Sequence, residues 1–415
     1  MERELIVYID IAGKPVIVGR LWARARGNKE SASFEYAASW LSARESFSVD
    51  PELPLGRGQF HTTRPLFNAF TDPAPDRWGQ TLMRRNERVR ARSEKRQPRT
   101  LLSIDFLALV DDETRLGALR FKESEGDAFL SSTGRRVPPV LALPRLLSAT
   151  TRILADTETD EDLQLVLAPG TSLGGARPKA TVRDKEGQLV VAKFPRKDDE
   201  WPVTLWEAAT LKMARKAGIA VPAWRVETIL RKPVLMIRRF DRGRDGRVHF
   251  MSALTAVQGS DNEARSYLDI VDALRRDGAD VAGDLRELWR RVVFNILVSN
   301  TDDHLRNHGF LRATDGWRLA PAYDMNPMPL DVRPRAHVLA IDESDTTGSF
   351  DTAMSVAPAF GIAKASEARA IAREVGAAVL KWQTVAKSCG LSRNAIARME
   401  SAFEHYDLRA VEKLV

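Results

Sequence analysis

The most regular pattern of apolar and polar positions in this chain lies between residues 285 and 324. Apolar residues recur three and four positions apart from Leu285 to Leu297, which predicts an amphipathic helix with its apolar face in a core. A polar loop follows, and two short apolar runs then flank Asp315-Gly316, which predicts a β-hairpin with that dipeptide as its turn. We expect this hairpin to return the chain, at Asp324, to the polar loop.

The polar loop has the spacing of a kinase catalytic loop, because Asp302 and Asn307 form D-x-x-x-x-N. Phosphate transfer to a hydroxyl needs a carboxylate that accepts the proton, and oxygen ligands that hold Mg²⁺ against the phosphates. Asp302 would fill the first role, and Asn307 with Asp324 the second. Such a loop also ends many helices without any chemistry, but the apolar helix before it and the strand after it favour the functional interpretation. The neighbouring His304 either orients the loop or simply packs.

Three regions are predicted along the chain. Residues 1–125 begin with alternating strands and end in a strand that closes a β-rich subdomain, residues 126–240 alternate strands and helices, and residues 241–415 are mostly helical. In the second region a β-β-helix-β-β order precedes the helices at 252–300, which is typical of a small nucleotide-binding lobe followed by a helical lobe. Residues 131–162, with a scattered helical pattern, are predicted to connect the lobes.

Two features of the second region are typical of phosphate binding. Lys193 ends the apolar strand V-V-A-K, where a kinase lysine contacts the α- and β-phosphates, and Glu207 on the next helix is its candidate partner. Thr204 to Glu207 also fits a helix capping box, so both roles stay open for the glutamate. The loop from Gly170 to Lys179 matches neither G-x-G-x-x-G nor the P-loop motif. Its position before the Lys193 hairpin nevertheless allows backbone N–H groups to cradle phosphates, and Lys179 would add a charge.

Composition narrows the class of protein. The 415 residues include 63 Lys and Arg against 56 Asp and Glu, and the net charge of +7 permits contact with nucleic acid without requiring it. A single cysteine, Cys389, excludes an intramolecular disulfide and a multi-cysteine zinc site, and it suits a cytoplasmic protein. We expect neither a signal peptide nor a membrane span. Between Arg84 and Arg99, eight Lys or Arg against two Glu form either a nucleic-acid footprint or a solvated helix face.

A set of short motifs carries a family resemblance. It comprises T-D-D-H-L-R-N, P-A-Y-D-M, V-L-M-I-R-R-F-D-R, S-L-G-G-A-R-P-K and V-A-K-F-P, with L-I-V-Y-I-D, F-E-Y-A-A-S-W-L and R-L-G-A-L-R-F nearer the N-terminus. Together they resemble the HipA family of serine/threonine-protein kinase toxins, over nearly the whole chain. The resemblance implies an α+β, two-lobed protein-kinase-like fold of HipA type, with a β-rich N-terminal subdomain and a mostly helical C-terminal lobe. It also implies ATP and Mg²⁺ between the lobes.

The resemblance further implies a role for each matching residue. Asp302 would be the catalytic base, and Asn307 and Asp324 the metal ligands. The residues implied to bind the nucleotide are Gly174, Gly175, Ala176 and Lys179 of the phosphate loop, Lys193 with Glu207, and Met236, Arg238 and Phe240 of the hinge whose backbone contacts adenine. Ser172 matches the serine whose autophosphorylation switches the kinase off, and the neighbouring Thr171 can substitute for it.

Partners follow from the same resemblance. Family members usually act as toxins that a small helix-turn-helix antitoxin neutralises while it binds operator DNA, and some phosphorylate aminoacyl-tRNA synthetases. Two alternatives stay open, a catalytically weak DNA-binding co-repressor scaffold and a small-molecule kinase on the same fold. The chain departs from the family at Arg238, where a glutamate is common, and in H-F-M-S-A-L-T-A after the hinge. After Asp324 it has Met-Asn, where ordinary protein kinases have Phe-Gly. These departures argue against transferring a particular protein substrate or an activation-loop mechanism.

Overall fold

A computed structural model describes residues 2–27, 29–132, 137–167 and 175–415. It contains two compact units. The first comprises Met1–Lys197, Thr228–Lys232 and Met236–Met251, and the second comprises Asp198–Glu227, Pro233–Leu235 and Ser252–Val415. This division groups the residues differently from the three regions proposed above, which remain a prediction.

An antiparallel five-stranded sheet forms the core of the N-terminal part. Its strands are β1 (Glu2–Ile11), β2 (Lys14–Arg26), β3 (Lys29–Tyr36), β4 (Gln59–Thr62) and β5 (Leu119–Lys122), in the order β4-β3-β2-β1-β5. Ala12 and Gly13 join β1 to β2, and both have positive φ, as the tight turns of β-hairpins require. The strand predicted to close this subdomain is confirmed as β5, which pairs with β1.

Six helices accompany this sheet in the first unit. They are α1 (Ala38–Ser42), α2 (Asn68–Thr71), α3 (Arg77–Ser93), α4 (Ser103–Leu109), α5 (Leu143–Leu154) and α6 (Asp160–Leu167). Residues 131–162, predicted only as a connection with scattered helical pattern, therefore contain a whole helix and the start of another. α5 buries Leu146, Leu147 and Ile153 at helical spacing, and Arg152 forms an ion pair with Asp162 of α6. These apolar and charged contacts give the segment a packed structure of its own.

A second sheet carries the predicted lysine. Its strands are β6 (Lys179–Arg183), β7 (Leu189–Lys193), β8 (Trp224–Ile229) and β9 (Lys232–Arg238), in the order β6-β7-β9-β8. Helix α7 (Val203–Lys216) lies between β7 and β8 in the sequence, so the predicted β-β-helix-β-β order is confirmed. Leu230 and Arg231 join β8 to β9, and both have positive φ. A short two-stranded ribbon follows, made of β10 (Arg242–Gly243) and β11 (Gly246–Arg247).

Helices dominate the second unit after residue 252. They are α8 (Ala253–Ala256), α9 (Tyr267–Asp277), α10 (Val281–Leu297), α11 (Phe350–Val356), α12 (Ala365–Val379), α13 (Trp382–Ser388), α14 (Arg393–Arg398), α15 (Glu400–Phe403) and α16 (Tyr406–Glu412). The remaining strands are β12 (Phe250–Ser252), β13 (Arg265–Ser266), β14 (Gly309–Ala313), β15 (Gly316–Leu319) and β16 (Leu339–Ala340). The expected α+β fold, β-rich at the N-terminus and helical toward the C-terminus, is confirmed.

The amphipathic helix predicted from residue 285 is α10, which is largely buried in the second unit. Leu288, Trp289 and Val292 on its apolar stripe have no exposed surface. Burial of each such side chain contributes about 1.5–3 kcal/mol. The indole N–H of Trp289 also donates to the carbonyl of Ala353 on α11, at 3.0 Å. This helix therefore has a fixed position from which to present the loop at its C-terminal end.

The hairpin after that loop is confirmed, but its turn lies one residue earlier than predicted. Ala313 of β14 pairs with Gly316 of β15, so Thr314 and Asp315 form the turn. Gly316 is instead required by a close approach, because a Cβ atom on it would lie 2.7 Å from the carbonyl oxygen of Asp277 in α9. A glycine is thus needed here because the backbone approaches a helix that is distant in sequence, and local turn statistics cannot detect such a contact.

Candidate active site

The loop that follows α10 reverses direction in a few buried residues. Ser299 adopts a left-handed backbone conformation with φ of 51°, and its hydroxyl donates to the carbonyl of Ala402 at 2.7 Å. The backbone N–H of Asn300 donates to the backbone carbonyl of Asn295 at 2.9 Å. The second bond satisfies a carbonyl in the last turn of α10, and the first ties the loop to α15. The two adjacent carboxylates of Asp302 and Asp303 come directly after this reversal.

Those two carboxylates have opposite environments. The Asp302 side chain is 63% exposed, whereas the Asp303 side chain is 5% exposed. A single-turn 3₁₀ helix from Leu305 to Asn307 closes the loop, and the Asn307 side-chain amide donates to the backbone carbonyl of Asp302 at 3.3 Å. The Asp302 carboxylate is therefore accessible from solvent. Asn307 is hydrogen-bonded to the backbone of Asp302, the predicted catalytic base.

Asp303 is the buried acceptor that fixes the loop. One of its oxygens, Oδ2, accepts hydrogen bonds from the Tyr267 hydroxyl at 2.6 Å, the Asn295 amide at 3.0 Å and Nε2 of His308 at 2.6 Å. Burial raises the pKa of the Asp303 carboxyl, but attraction to His308 and hydrogen bonds from His308 and Tyr267 outweigh it and lower this pKa overall. The carboxylate thus stays charged while it connects α9, α10 and the start of β14 behind Asp302.

The segment bearing Asp324 lies against the same loop. Tyr323 donates its hydroxyl to the carbonyl of Arg306 at 2.8 Å, and the Asn326 backbone N–H donates to Oδ1 of Asn300 at 3.3 Å. The structure therefore brings together the two predicted carboxylate-bearing segments, one on each side of the β14–β15 hairpin. This neighbourhood agrees with the geometry expected from the sequence, while the roles of Asp302, Asn307 and Asp324 remain predictions.

Asp324 itself is held in an uncommon conformation. Its φ is 58°, in the left-handed region that residues other than glycine seldom adopt. The residue is half-buried. Its Oδ1 accepts a hydrogen bond from the Asn326 amide at 3.4 Å. Backbone strain of this kind concentrates at functional sites, where the surrounding structure enforces it. A strained, partly accessible carboxylate beside an amide-bearing loop is a reasonable arrangement for holding a divalent cation.

The donor set fits magnesium better than a metal held by protein alone. Among residues 2–27, 29–132, 137–167 and 175–415, no cluster of three or more His, Cys, Asp or Glu side chains is suited to a metal ion. Mg²⁺ that binds with a nucleotide typically takes one or two protein carboxylates and completes its shell with phosphate oxygens and water. Asp324 and the amide oxygen of Asn307 supply ligands of the right type for that mode of binding.

The predicted phosphate-binding residues of the first unit fall into two groups. Ser172, Thr171 and Gly174 lie outside the described residues, whereas Gly175 and Ala176 are exposed. Lys179 and Lys193 are directly opposite each other in the β6–β7 hairpin, so their side chains leave the same face. Lys193 is half-buried at the end of its strand.

Lys179 has a structural partner that the sequence did not indicate. Its ammonium lies 2.5 Å from Oδ2 of Asp76, and both side chains are less than 5% exposed. The ammonium also donates to the carbonyl of Gly175 at 3.2 Å. Asp76 additionally caps α3 by accepting the Gly79 N–H at 2.8 Å. The charge that Lys179 was expected to add for phosphates is thus already balanced by a buried carboxylate.

Glu207 does not take part in a capping box. α7 begins at Val203 with Pro202 at its N-cap, so Glu207 is the fifth residue of the helix. Thr204, the expected cap, instead donates its hydroxyl to the carbonyl of Pro233 at 3.3 Å. Glu207 is buried at 2% exposure. The capping interpretation is therefore wrong, and the role of Glu207 as partner of a phosphate-binding lysine remains a prediction.

The predicted hinge is anchored by residues that the sequence patterns did not single out. Met236 is buried, Arg238 is exposed and donates to Gln188 at 3.1 Å, and the ring of Phe240 packs near Phe250. Their neighbours Arg239 and Asp241 in R-R-F-D-R make further buried polar contacts.

Arg239 and Asp241 form the buried pair that holds this stretch. The Arg239 Nε lies 2.7 Å from Oδ1 of Asp241, and its Nη1 donates to the carbonyl of Thr114 at 2.6 Å. Asp241 also accepts the Gly117 N–H at 2.8 Å. Burial raises the pKa of Asp241, but Arg239 and Arg242 together lower it to about 2. The aspartate between arginines in R-R-F-D-R was the available sequence signal for this pair.

The basic run from Arg84 to Arg99, which begins in α3 and continues past its end, is only partly free of acidic partners. Arg85, Arg90, Arg96 and Arg99 form ion pairs with Glu158, Glu94, Glu87 and Asp105, respectively. Arg88, Arg92 and Lys95 are exposed and form no ion pair within the described part of the chain. Half of the run is therefore ion-paired. Arg88 and Arg92 lie one turn apart on α3, and Lys95 follows the end of that helix; these three cations remain as a candidate anion-binding surface.

Comparison with known families gives the chain its place. The sequence model of the HipA-like C-terminal domain matches residues 171–383, more than half of the chain. The chain belongs to the HipA family. The model of the HipA N-terminal domain matches residues 9–105, so both halves of the family architecture are represented. The resemblance identified from the sequence motifs is confirmed.

A solved HipA structure has the same fold. A chain from the Shewanella oneidensis complex of HipA, HipB and operator DNA matches with a TM-score of 0.69 and 15% identity, over 99% of this chain and 97% of that chain. This likeness establishes the HipA-type fold. In addition, no helix in the described part of the chain is both long and apolar enough to cross a membrane.

Two curated relatives carry kinase names. “Putative kinase Y4mE” of Sinorhizobium fredii is 27% identical over 180 residues, which are 37% of this chain and 41% of the relative. A “Putative kinase” of Haemophilus influenzae is 26% identical over 190 residues, which are 39% of this chain and 54% of that relative. The chain thus covers only about half of the length of the relatives it matches.

Proposed function

We propose that this HipA-family protein is an ATP- and Mg²⁺-dependent serine/threonine-protein kinase that acts as a toxin. The observation that carries the proposal is the hydrogen-bonded neighbourhood of the exposed Asp302 loop and the strained Asp324 segment. The names of the curated relatives support kinase chemistry. The Shewanella oneidensis complex, a toxin–antitoxin system in which HipA occurs with HipB and operator DNA, supports a toxin held by a DNA-binding antitoxin.

In the proposed reaction, Asp302 orients the substrate hydroxyl and accepts its proton. The hydroxyl oxygen forms a bond to the γ-phosphorus of ATP as the bond to the β-phosphate oxygen breaks, which leaves ADP. Asn307 and Asp324 would hold magnesium, which neutralises phosphate charge when bound. Lys193, with Glu207 as its partner, would contact the α- and β-phosphates, and the backbone of Met236, Arg238 and Phe240 would contact adenine.

Regulation and partners form the finer part of the proposal. Autophosphorylation of Ser172 would switch the kinase off, and a helix-turn-helix antitoxin would neutralise it in the cytoplasm. An aminoacyl-tRNA synthetase is the proposed class of protein substrate. These assignments extend the family's properties to matching residues of this chain.

Labelled ATP and a host lysate test the activity directly. Wild-type protein is expected to label itself and one lysate protein, whereas Asp302→Ala and Asp324→Ala should each lose at least about 100-fold in rate, because proton acceptance and metal binding are both removed. Growth inhibition on expression should disappear in the same variants. Retained transfer by Asp302→Ala would overturn the assignment of the base.

The second candidate function is a co-repressor scaffold that acts through its antitoxin on operator DNA. The exposed cations Arg88, Arg92 and Lys95 favour it, because such a face can neutralise backbone phosphates. Under this alternative, Asp302→Ala would leave operator binding and growth phenotype unchanged. Loss of growth inhibition with intact operator binding would instead favour the kinase.

A further inference from the structure

The proposed base has an arginine partner that no family motif predicted. Nη1 of Arg333 lies 2.8 Å from Oδ1 of Asp302, and within the described part of the chain this is the only ion pair of either residue. Both side chains are accessible, with 38% exposure for Arg333 and 63% for Asp302. Exposed ion pairs of this kind contribute little to folding stability. The contribution of this ion pair to folding stability therefore does not explain why Arg333 lies at Asp302.

The backbone around Arg333 forms a defined turn. The N–H groups of Val332 and Arg333 both donate to the carbonyl of Pro329, at 3.1 and 3.2 Å. Pro334 follows directly, and a residue before proline is restricted to extended conformations. The Leu330 N–H donates to the hydroxyl of Ser401 at 3.0 Å, which fixes the start of the turn to α15. These contacts restrict the directions in which the Arg333 side chain can leave the chain.

The turn belongs to residues 328–338, a segment tied at both ends to the residues that precede Asp302. The Met328 N–H donates to the carbonyl of Ser299 at 3.1 Å, and the Val338 N–H donates to the carbonyl of Thr301 at 3.1 Å. Ser299 and Thr301 are completely buried. Arg333 and Asp302 thus belong to two backbone segments that are hydrogen-bonded to each other, so the fold keeps the two side chains close.

We propose that Arg333 is a positioning residue for the Asp302 carboxylate, an inference that rests on the proposed kinase activity. The torsion that orients a carboxylate is broad, so an exposed aspartate alone samples many orientations. With Oδ1 held by the guanidinium, fewer orientations of the carboxylate are accessible. Oδ2, which accepts no hydrogen bond from the described residues, then remains available for the substrate hydroxyl. Orientation of a catalytic group before reaction removes entropy cost from the barrier.

Steady-state kinetics of three variants test this role. Arg333→Ala should lower kcat by about tenfold while KM for ATP stays within about twofold, because orientation of the base is lost and nucleotide binding is retained. Arg333→Lys should fall between, since lysine keeps the charge but lacks the planar fork of arginine. The matched control is Arg286→Ala, which removes a surface ion pair with Glu367 at 2.6 Å far along α10 from the loop. It should leave kcat unchanged.

Chemical rescue supplies a readout that a merely structural role would not move. Guanidinium ion, added well below denaturing concentrations, should raise kcat of Arg333→Ala several-fold and leave wild type and Arg286→Ala unaffected. Urea unfolding should show the same midpoint for Arg333→Ala and wild type. Failure of rescue in a folded, slow variant would overturn the positioning role.

The remaining outcomes are equally decisive. An increase in kcat for Arg333→Ala would mean that the arginine blocks the base, and an unchanged kcat would mean that Asp302 needs no partner. Either result would refute the inference while the kinase activity stood. If wild-type protein transferred no phosphate to itself or to any lysate protein, the proposed function and this inference would both fail.

Discussion

The adjacent carboxylates of Asp302 and Asp303 allow a sharp test of which one supports the fold. Asp303→Ala removes the acceptor shared by Tyr267, Asn295 and His308. Each buried donor left without an acceptor costs about 1–3 kcal/mol. Because Nδ2 of Asn295 also lies 3.2 Å from the Tyr267 hydroxyl, one donor can be partly satisfied. We therefore expect a loss of about 3–5 kcal/mol, which is also typical of a broken buried ion pair.

Such a loss is large against a total stability of about 5–15 kcal/mol for a typical domain. The exposed Asp302→Ala is the matched control, because it replaces the same residue type one position away. It should cost less than about 1 kcal/mol, the value of a surface ion pair. Asp303→Asn should lie between the two, since it retains one acceptor oxygen but loses the charge.

Urea unfolding followed by circular dichroism at pH 7 measures these differences. The two compact units can unfold separately, so hydrogen exchange of the α10 amides should be used to assign the shifted transition to the second unit. If Asp303→Ala remained within about 1 kcal/mol of wild type, the buried acceptor would not hold the loop as described. Equal losses in the Asp302 and Asp303 variants would contradict the reasoning as well.

Other predictions concern pH, modification and DNA. Burial lowers the pKa of His337 and His405 to about 4, from 6.5, so the unfolded chain binds more protons between those values. The free energy of unfolding should therefore fall as pH drops through that window, by about 3 kcal/mol per histidine. His337→Gln should reduce the fall measured between pH 7 and 4.5, and an undiminished fall would contradict this. Ser172→Ala should abolish autophosphorylation in mass spectra without changing circular dichroism, and persistent phosphate on Thr171 would assign the site there. Charge reversal at Arg88 and Arg92 should reduce the salt dependence of operator binding by about one unit of slope per lost phosphate contact, whereas an unchanged slope would indicate a merely solvated helix face.

Local sequence patterns were sufficient for most elements around the site. The spacing of apolar residues predicted α10, and the alternation of apolar runs predicted the β14–β15 hairpin, because both signals depend on residues a few positions apart. Placing Asp324 beside the Asp302 loop followed from the hairpin alone. The turn was predicted one residue too late because Gly316 is required by its close approach to the carbonyl of Asp277 and not by the turn. That contact spans 39 positions of sequence, which no turn rule includes.

Partner choice was the part that the sequence did not reveal. Lys179 pairs with Asp76 across 103 positions, and Asp302 pairs with Arg333 across 31. The capping box at Glu207 was locally plausible, but the chain enters α7 at Pro202 and leaves Thr204 inside the helix. In each case the partner of the residue could not be predicted, since any of several charges could satisfy the same local pattern.

The sequence by itself determined that a helix, a polar loop and a hairpin would bring two carboxylates and an amide into one neighbourhood. Only the tertiary structure decided that Asp302 faces solvent while Asp303 is buried among three donors. Helical period and strand alternation are properties of neighbouring residues, so they can be read directly from the chain. Burial and charge pairing depend on which distant segments fold against a residue, and Tyr267 and Arg333 reach the Asp302–Asp303 pair from opposite sides of the sequence.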